Sequence, residues 1–157
     1  MLIYIKMTVI TSLINATYIL QYVNQLRSLH HASPVVYNTT LNLYAQNWSN
    51  TMASHDVLYH SSGIYGENIA EVYVGTKPNA TAGVLAAIKM WYSEANLYNY
   101  SANTFNPYTG HFSQLVWLNT RQIGLGIAYN KTYGFVTMEF YPPGNVLNAF
   151  TQNVLKT

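Results

Sequence analysis

Two histidines and two glutamates stand out as residues able to do chemistry together. His60 is followed by Glu67, within Tyr65-Gly66-Glu67-Asn68-Ile69-Ala70. Glu94 closes Met90-Trp91-Tyr92-Ser93-Glu94, and His111 sits in Gly110-His111-Phe112-Ser113-Gln114-Leu115-Val116-Trp117. All four are embedded in apolar or aromatic sequence. The chain has only 5 acidic residues, so two in such settings carry weight. Neutral imidazole is a common ligand for divalent transition metals. A nearby carboxylate either ligates as well or orients the ring through its second nitrogen. The competing reading is structural: buried His and Glu can satisfy each other and the backbone. The residues alone leave both readings open.

A second feature lies between Glu94 and His111. Tyr98, Tyr100 and Phe105 follow an aromatic-x-aromatic-x4-aromatic spacing, that of the caveolin-binding-type motif, on a polar segment. Aromatic rings on such a segment offer flat apolar surface that is costly to leave wet. A rigid, flat lipid suits that surface. The spacing is loose in a chain with 15 Tyr, and packing onto the domain body is the alternative.

Nucleophilic catalysis finds little support. Neither Ser61 nor Ser113 lies in a Gly-x-Ser-x-Gly elbow, and Asp56 is the only Asp available for a triad. A glutamate polarising a metal-bound water would make a hydrolase. Only Glu67 or Glu94 could serve as that base.

The elements that must position these residues follow from periodicity. Ile19, Tyr22, Val23, Leu26 and His30 predict an amphipathic helix over residues 17–31, with Pro34 beyond its end. Leu41, Tyr44, Ala45, Trp48 and Met52 predict a second helix over 39–54, with Thr39 or Thr40 as N-cap. Val84, Ile88, Trp91 and Ala95 share one face of a third, after Pro78-Asn79. Residues 98–110 read as a loop. Ile123, Leu125, Ile127 and Tyr129 alternate with Gln122, Gly124, Gly126 and Ala128, a strand with a small-residue face that lets a neighbour approach closely. Asn130-Lys131-Thr132 is the turn into a second strand over 133–140. Helices followed by a hairpin imply helices layered on an antiparallel sheet. Trp48, Trp91 and Trp117 are assigned to the core, and Asn24 and Arg27 to tying the first helix to its neighbours. Asn68 and Asn145 are assigned to hydrogen-bonding backbone turns, His30 and His31 to the end of the first helix, and His55 to the surface.

Composition bounds the function classes. A chain of 157 residues fits one domain. Charged residues are 8% of it, against about 25% in ordinary soluble domains. The net charge of +2 comes from scattered basic residues, so no nucleic-acid footprint exists. Cysteine is absent, which removes disulfides and thiol chemistry. Residues 1–16 read either as a short signal peptide, with Ala16 near a cleavage site, or as an N-terminal extension of the first helix. No apolar run reaches the roughly 18 residues of a spanning helix. Sequons at Asn15, Asn38, Asn47, Asn79, Asn99 and Asn130 point toward the secretory route and a glycoprotein.

The motifs resemble those of the CAP superfamily, which holds cysteine-rich secretory, antigen 5 and pathogenesis-related proteins. Gly110 to Trp117 resembles its first signature. Gly66-Glu67-Asn68-Ile69 resembles its Gly-Glu-Asn motif, and Phe140-Tyr141-Pro142-Pro143-Gly144-Asn145-Val146 its second signature. Asn24, Arg27, His30 and Pro34 fit its first-helix pattern. The pattern is most similar to the cysteine-poor Golgi-associated branch. The resemblance implies an α+β fold, a three-layer α-β-α sandwich, over residues 17–157. It implies a divalent metal such as Zn2+ at His60 and His111, with Glu67 and Glu94 completing a tetrad in one cleft. It also implies sterol or other lipid binding near Tyr98, Tyr100 and Phe105. The expected function is binding of a small hydrophobic ligand, extracellular, in the secretory pathway or at a membrane surface; the cytosolic face of membranes is the alternative. A metal-dependent hydrolase and a protein-interaction or immune-modulating domain are the competing functions.

Overall fold

The computed structural model describes residues 14–75, 78–131 and 133–157. Most of the 1–16 segment and Thr132 of the hairpin turn therefore lie outside the described residues. Three long helices begin on asparagines. Helix α1 (Ala16–Leu29) starts where Asn15 Oδ1 accepts the Tyr18 N–H at 3.1 Å. Helix α2 (Thr39–His55) starts where Asn38 Oδ1 accepts the Leu41 N–H at 3.1 Å. Helix α3 (Ala80–Ser93) starts where Asn79 Oδ1 accepts the Ala82 N–H at 2.9 Å. In each case a short amide on non-helical backbone reaches an otherwise unpaired helix donor. The α2 cap is thus Asn38, not Thr39 or Thr40. Asn15, Asn38 and Asn79 are three of the sequon asparagines, so helix capping accounts for part of that pattern.

Strands β1 (Val36–Tyr37), β2 (Gly66–Tyr73), β3 (Gln122–Asn130) and β4 (Tyr133–Tyr141) form one sheet in the order β1-β3-β4-β2. The β3–β4 hairpin and the β2–β4 pair are antiparallel, as expected. Strand β1 adds a two-residue parallel pairing to β3, so the sheet is mixed. Strand β2 was not evident from periodicity. A turn of 3-10 helix (Glu94–Leu97), helix α4 (Gly110–Leu115) and helix α5 (Phe150–Asn153) complete the described elements.

Helix α2 lies against one face of β3 and β4, and α3 against the other, with α1 packed on α3. This is the α-β-α sandwich. The main core lies on the α3 side, where Ile123, Leu125 and Ile127 meet Val84, Ile88 and Trp91. A smaller cluster of Met52, Ile69 and Phe135 lies on the α2 side. Trp91 and Trp117 are fully buried, whereas Trp48 is half-buried and donates to the Tyr59 carbonyl.

The small-residue face of β3 brings α2 very near. A Cβ on Gly124 would lie 2.1 Å from the Leu41 carbonyl carbon, and one on Gly126 would lie 2.5 Å from Gln46 Cα. That proximity lets α2 side chains reach the strand backbone. Asn42 Oδ1 accepts the Leu125 N–H at 2.9 Å. Gln46 donates to the Ile127 carbonyl at 2.9 Å and accepts its N–H at 3.3 Å. Asn38 donates to the Gln122 side chain at 2.9 Å. One stripe of α2, at four-residue spacing, thereby serves the edge of β3.

Arg27 is fully buried and makes five hydrogen bonds to four carbonyls. Nε and Nη2 donate to Ser33 O, Nη1 to Leu115 O and Trp117 O, and Nη2 also to Thr120 O. Burial, with the nearby Arg121 charge, lowers its pKa to about 10, so it stays a cation at neutral pH. Asn24 exchanges two bonds with the Val35 backbone. His30 closes α1, as expected. It is buried, with Nδ1 at 2.7 Å from Leu155 O, Nε2 at 3.0 Å from the Tyr92 hydroxyl, and burial first of all lowers its pKa. His55 is exposed, as expected.

Gly124→Ala tests the helix–strand approach. Its methyl meets backbone rather than a yielding side chain, so a loss of about 1–3 kcal/mol is expected in urea denaturation.

Candidate functional site

Helix α4 carries His111, and six residues are too few to be stable alone. It is held at both ends. At its start, Glu94 Oε2 accepts the His111 and Phe112 N–H groups, both at 3.1 Å. At its end, Arg27 donates to Leu115 O and Trp117 O. A carboxylate at the N-terminus and a cation at the C-terminus both match the helix dipole. Two asparagines brace the same turn. Asn68 donates to His111 O at 2.9 Å, and Asn145 donates to Gly110 O at 2.9 Å while accepting the Ser113 hydroxyl at 2.6 Å.

The ring of His111 is then fixed from two sides. Its Nδ1 lies 2.7 Å from Glu94 Oε1, and it stacks on Trp91 with centroids 6.1 Å apart. An ionised carboxylate can only accept, so the proton sits on Nδ1 and a neutral ring leaves Nε2 as the free donor atom. His60, just before β2, repeats the arrangement. Its Nδ1 lies 2.6 Å from Glu67 Oε1, which also accepts the Ser61 N–H at 2.9 Å. The two pairs differ in exposure. The side chain of His60 is 59% exposed and that of Glu67 7%, whereas those of His111 and Glu94 are 31% and 20% exposed. The bond to Glu67 raises the His60 pKa above its ordinary value, against the pull of burial. Burial works against the Glu67 carboxylate, but bonds from His60 and Ser61 help to outweigh it and hold its pKa low.

His60, Glu67 and His111 line one open cleft of about 500 Å3, together with Asn68 and Asn145. Glu94 stands behind His111 rather than at the cleft wall. Among the described residues, no three His, Asp or Glu side chains cluster closely enough to share an ion. Each carboxylate is committed to its own imidazole.

The aromatic segment divides. Tyr98 and Tyr100 pack on Phe112, with centroids 5.2 and 6.5 Å from it, and burial raises the pKa of both. Phe105 is 46% exposed and lines the cleft with Tyr65 and Pro107. The Ser113 hydroxyl is buried on Asn145 and the Thr109 and Gly110 carbonyls, and that of Ser61 meets the Tyr44 hydroxyl.

One residue of the site escaped sequence reasoning. Glu139 of β4 is fully buried and directly opposite Glu67 in the strand register. Its signal was available: an acidic residue inside Phe135-Val136-Thr137-Met138-Glu139-Phe140, in a chain with 5 acids.

A comparison with known families decides the relationship. The profile described as "CAP: Cysteine-rich secretory protein family" matches residues 20–141. The chain belongs to the CAP family. It is 34% identical to pathogenesis-related protein 1 of Arabidopsis thaliana over 126 residues, which are 80% of this chain and 74% of that protein. It is 35% identical to Golgi-associated plant pathogenesis-related protein 1 of Homo sapiens over 139 residues, covering 84% and 86% of the two chains. The similarity to Protein PRY2 of Saccharomyces cerevisiae, at 33% identity, spans 84% of this chain but 38% of that protein. The fold is similar to a crystal structure of NaASP2 with Zn2+, at a TM-score of 0.70 and 21% identity over 88% of this chain and 83% of that one. No helix among the described residues of this CAP domain is long and apolar enough to cross a membrane.

The His60–Glu67 pair gives a pH signature. A raised histidine pKa adds stability that is complete below the unfolded value of 6.5 and lost as pH rises through the folded one. A lowered glutamate pKa adds stability present above the unfolded value of 4.5 and lost as pH falls through the folded one. The stability gap between the wild type and His60→Ala should therefore be wider at about pH 6 than at about pH 9, measured by denaturation at each pH.

Proposed function

We propose that this CAP domain binds a small hydrophobic ligand, a sterol or another lipid, at the cleft, and that His60 and His111 form a divalent metal site there. The observation that carries the reading is the paired arrangement of the histidines. Each commits Nδ1 to a glutamate and leaves Nε2 free, which is how a carboxylate prepares an imidazole for a metal. Zinc accepts nitrogen donors of this kind. Two protein nitrogens leave the rest of its coordination to water or a ligand, so the expected site is open and weak. NaASP2, solved with Zn2+, supplies a precedent in the same fold.

The hydrophobic-ligand reading is supported by the cleft's rim. Phe105, Tyr65 and Pro107 line it, and the exposed Ile64, Tyr108 and Val146 lie beside lining residues in the chain. Such clustering of exposed apolar groups is characteristic of binding surfaces. It also suits a domain working at a membrane surface, in the secretory pathway or outside the cell. The family description as secretory proteins supports that location.

Calorimetry with zinc and lipid extraction on the same preparations test this function. His60→Ala with His111→Ala should abolish zinc binding and leave the thermal transition in place. Unchanged zinc affinity would place the metal elsewhere. Phe105→Ser should weaken sterol extraction by about 1–3 kcal/mol, the contribution of one buried ring. Tyr98→Ser should instead lower stability by about 2 kcal/mol or more, because its ring packs on Phe112. Turnover of an ester or peptide that disappears in Glu67→Gln would replace binding with hydrolysis as the function.

A further inference from the structure

Glu139 occupies a position that ordinary carboxylates avoid. It has no exposed surface, and both of its oxygens lack a hydrogen-bond partner. Its cross-strand neighbour on β2 is Glu67, whose Oε2 is also buried and without a partner. Directly opposed residues on antiparallel strands point their side chains to the same face. That face is the one α2 covers, since the next residue on it, Thr137, accepts the Ser49 hydroxyl of α2 at 2.9 Å.

Among the described residues, no salt bridge neutralises either carboxylate with a Lys or Arg. Strands β2, β3 and β4 contain no Lys or Arg, and α2 contains none either. Of the titratable groups on these elements, Glu67 with its bound His60 stands opposite Glu139; Tyr44 of α2 donates to the Ser61 hydroxyl, and His55 ends α2 at the exposed surface. The cross-strand residue on β3 is Gly124. Two facing carboxylates in such a place cannot both be charged, and one proton shared between them satisfies two of the three orphan oxygens.

We propose that Glu139 is a positioning residue: it keeps its proton, donates it to Glu67 Oε2, and so holds Glu67 as the acceptor that keeps the His60 proton on Nδ1. The proton balance is simple. One proton stays on Glu139, one stays on His60 Nδ1, and Glu67 carries the negative charge. A carboxylate receiving a bond from an acid is a poorer base, so Glu67 orients His60 without taking its proton. The result is a three-member chain, Glu139–Glu67–His60, that runs from beneath α2 to the cleft and ends on the free Nε2 of His60. Burial first, then the adjacent Glu67 charge, push the Glu139 carboxyl up to about 9, in keeping with an acid that stays neutral. Glu94 has no such partner; it is satisfied by the backbone of α4. The two histidines are thus oriented by different means.

The test uses metal-free protein. Infrared difference spectra at neutral pH of the wild type against Glu139→Gln should show a protonated carboxyl band that the variant lacks. Nitrogen NMR of the imidazoles, taken above the pH at which His60 loses its charge, should show His60 mostly in the Nδ1–H tautomer in the wild type. Glu139→Gln, whose amide can donate to Glu67, should retain that tautomer. Glu139→Met, which cannot donate, should shift His60 toward a mixture while leaving His111 unchanged. Absence of the protonated band in the wild type overturns the proposal. So does a His60 tautomer indifferent to Glu139→Met. If the Met variant does not fold, the infrared band and the Gln variant still decide. A further arm rests on the zinc reading: Glu139→Met should weaken zinc about 10-fold, and Glu139→Gln should not. Failure of that arm alone would count against the metal, and failure of the tautomer arm against Glu139.

Discussion

The structure depends on a buried guanidinium that has no carboxylate partner among the described residues. Arg27 gathers carbonyls from three places that sequence keeps far apart: the turn after α1, the end of α4, and the approach to β3. A cation is costly to bury, and here the cost is offset by carbonyl dipoles alone. Those carbonyls would otherwise be unpaired ends of short or irregular segments. The arrangement explains how a loop-rich stretch between α3 and β3 acquires a defined shape without a disulfide. The geometry of His111 is a downstream result, because the helix that carries it is held by Arg27 at one end and Glu94 at the other.

The two histidine–glutamate pairs look alike in contact distance but differ in mechanical support. Glu94 is a structural hub: it receives three hydrogen bonds from α4 and would hold its place without the imidazole. Glu67 is supported by the sheet beneath and by the Ser61 backbone, and His60 projects into solvent from a loop. The His111 wall of the cleft is therefore held by more hydrogen bonds than the His60 wall.

What could be read from sequence follows the kind of force that forms each element. Helices α1, α2 and α3 bury one face, so their apolar residues recur at helical spacing and their existence was plain. Strand β3 showed itself by alternation with glycine, and its close helix neighbour followed from that. Strand β2 buries Asn68, Ile69 and Ala70 in succession, because helices cover both faces, and no alternation survives. Helix α4 is maintained by tertiary bonds rather than by local preference, and β1 is too short to leave a pattern. In the site, residue types and family register singled out His60, Glu67, Glu94 and His111, but not which glutamate serves which histidine. Glu139 was overlooked because it belongs to no motif; its importance arises from strand register, which spacing in a single strand does not reveal. Tyr98 and Tyr100 show the opposite limit, since aromatic spacing cannot tell a ring facing a ligand from one facing Phe112.

The polar stripe of α2 has a consequence for how this molecule meets others. An unprotected strand edge recruits further strands, from a second copy or from a misfolded neighbour. Along β3 the backbone groups of Leu125 and Ile127 are already taken by Asn42 and Gln46. On the far edge, the Ile69 carbonyl of β2 receives the Trp91 indole at 3.2 Å. Sheet extension along these stretches would first require breaking intramolecular bonds. Association and aggregation through backbone pairing are disfavoured along these stretches, where a weakly charged, tyrosine-rich chain meets its surroundings through side chains.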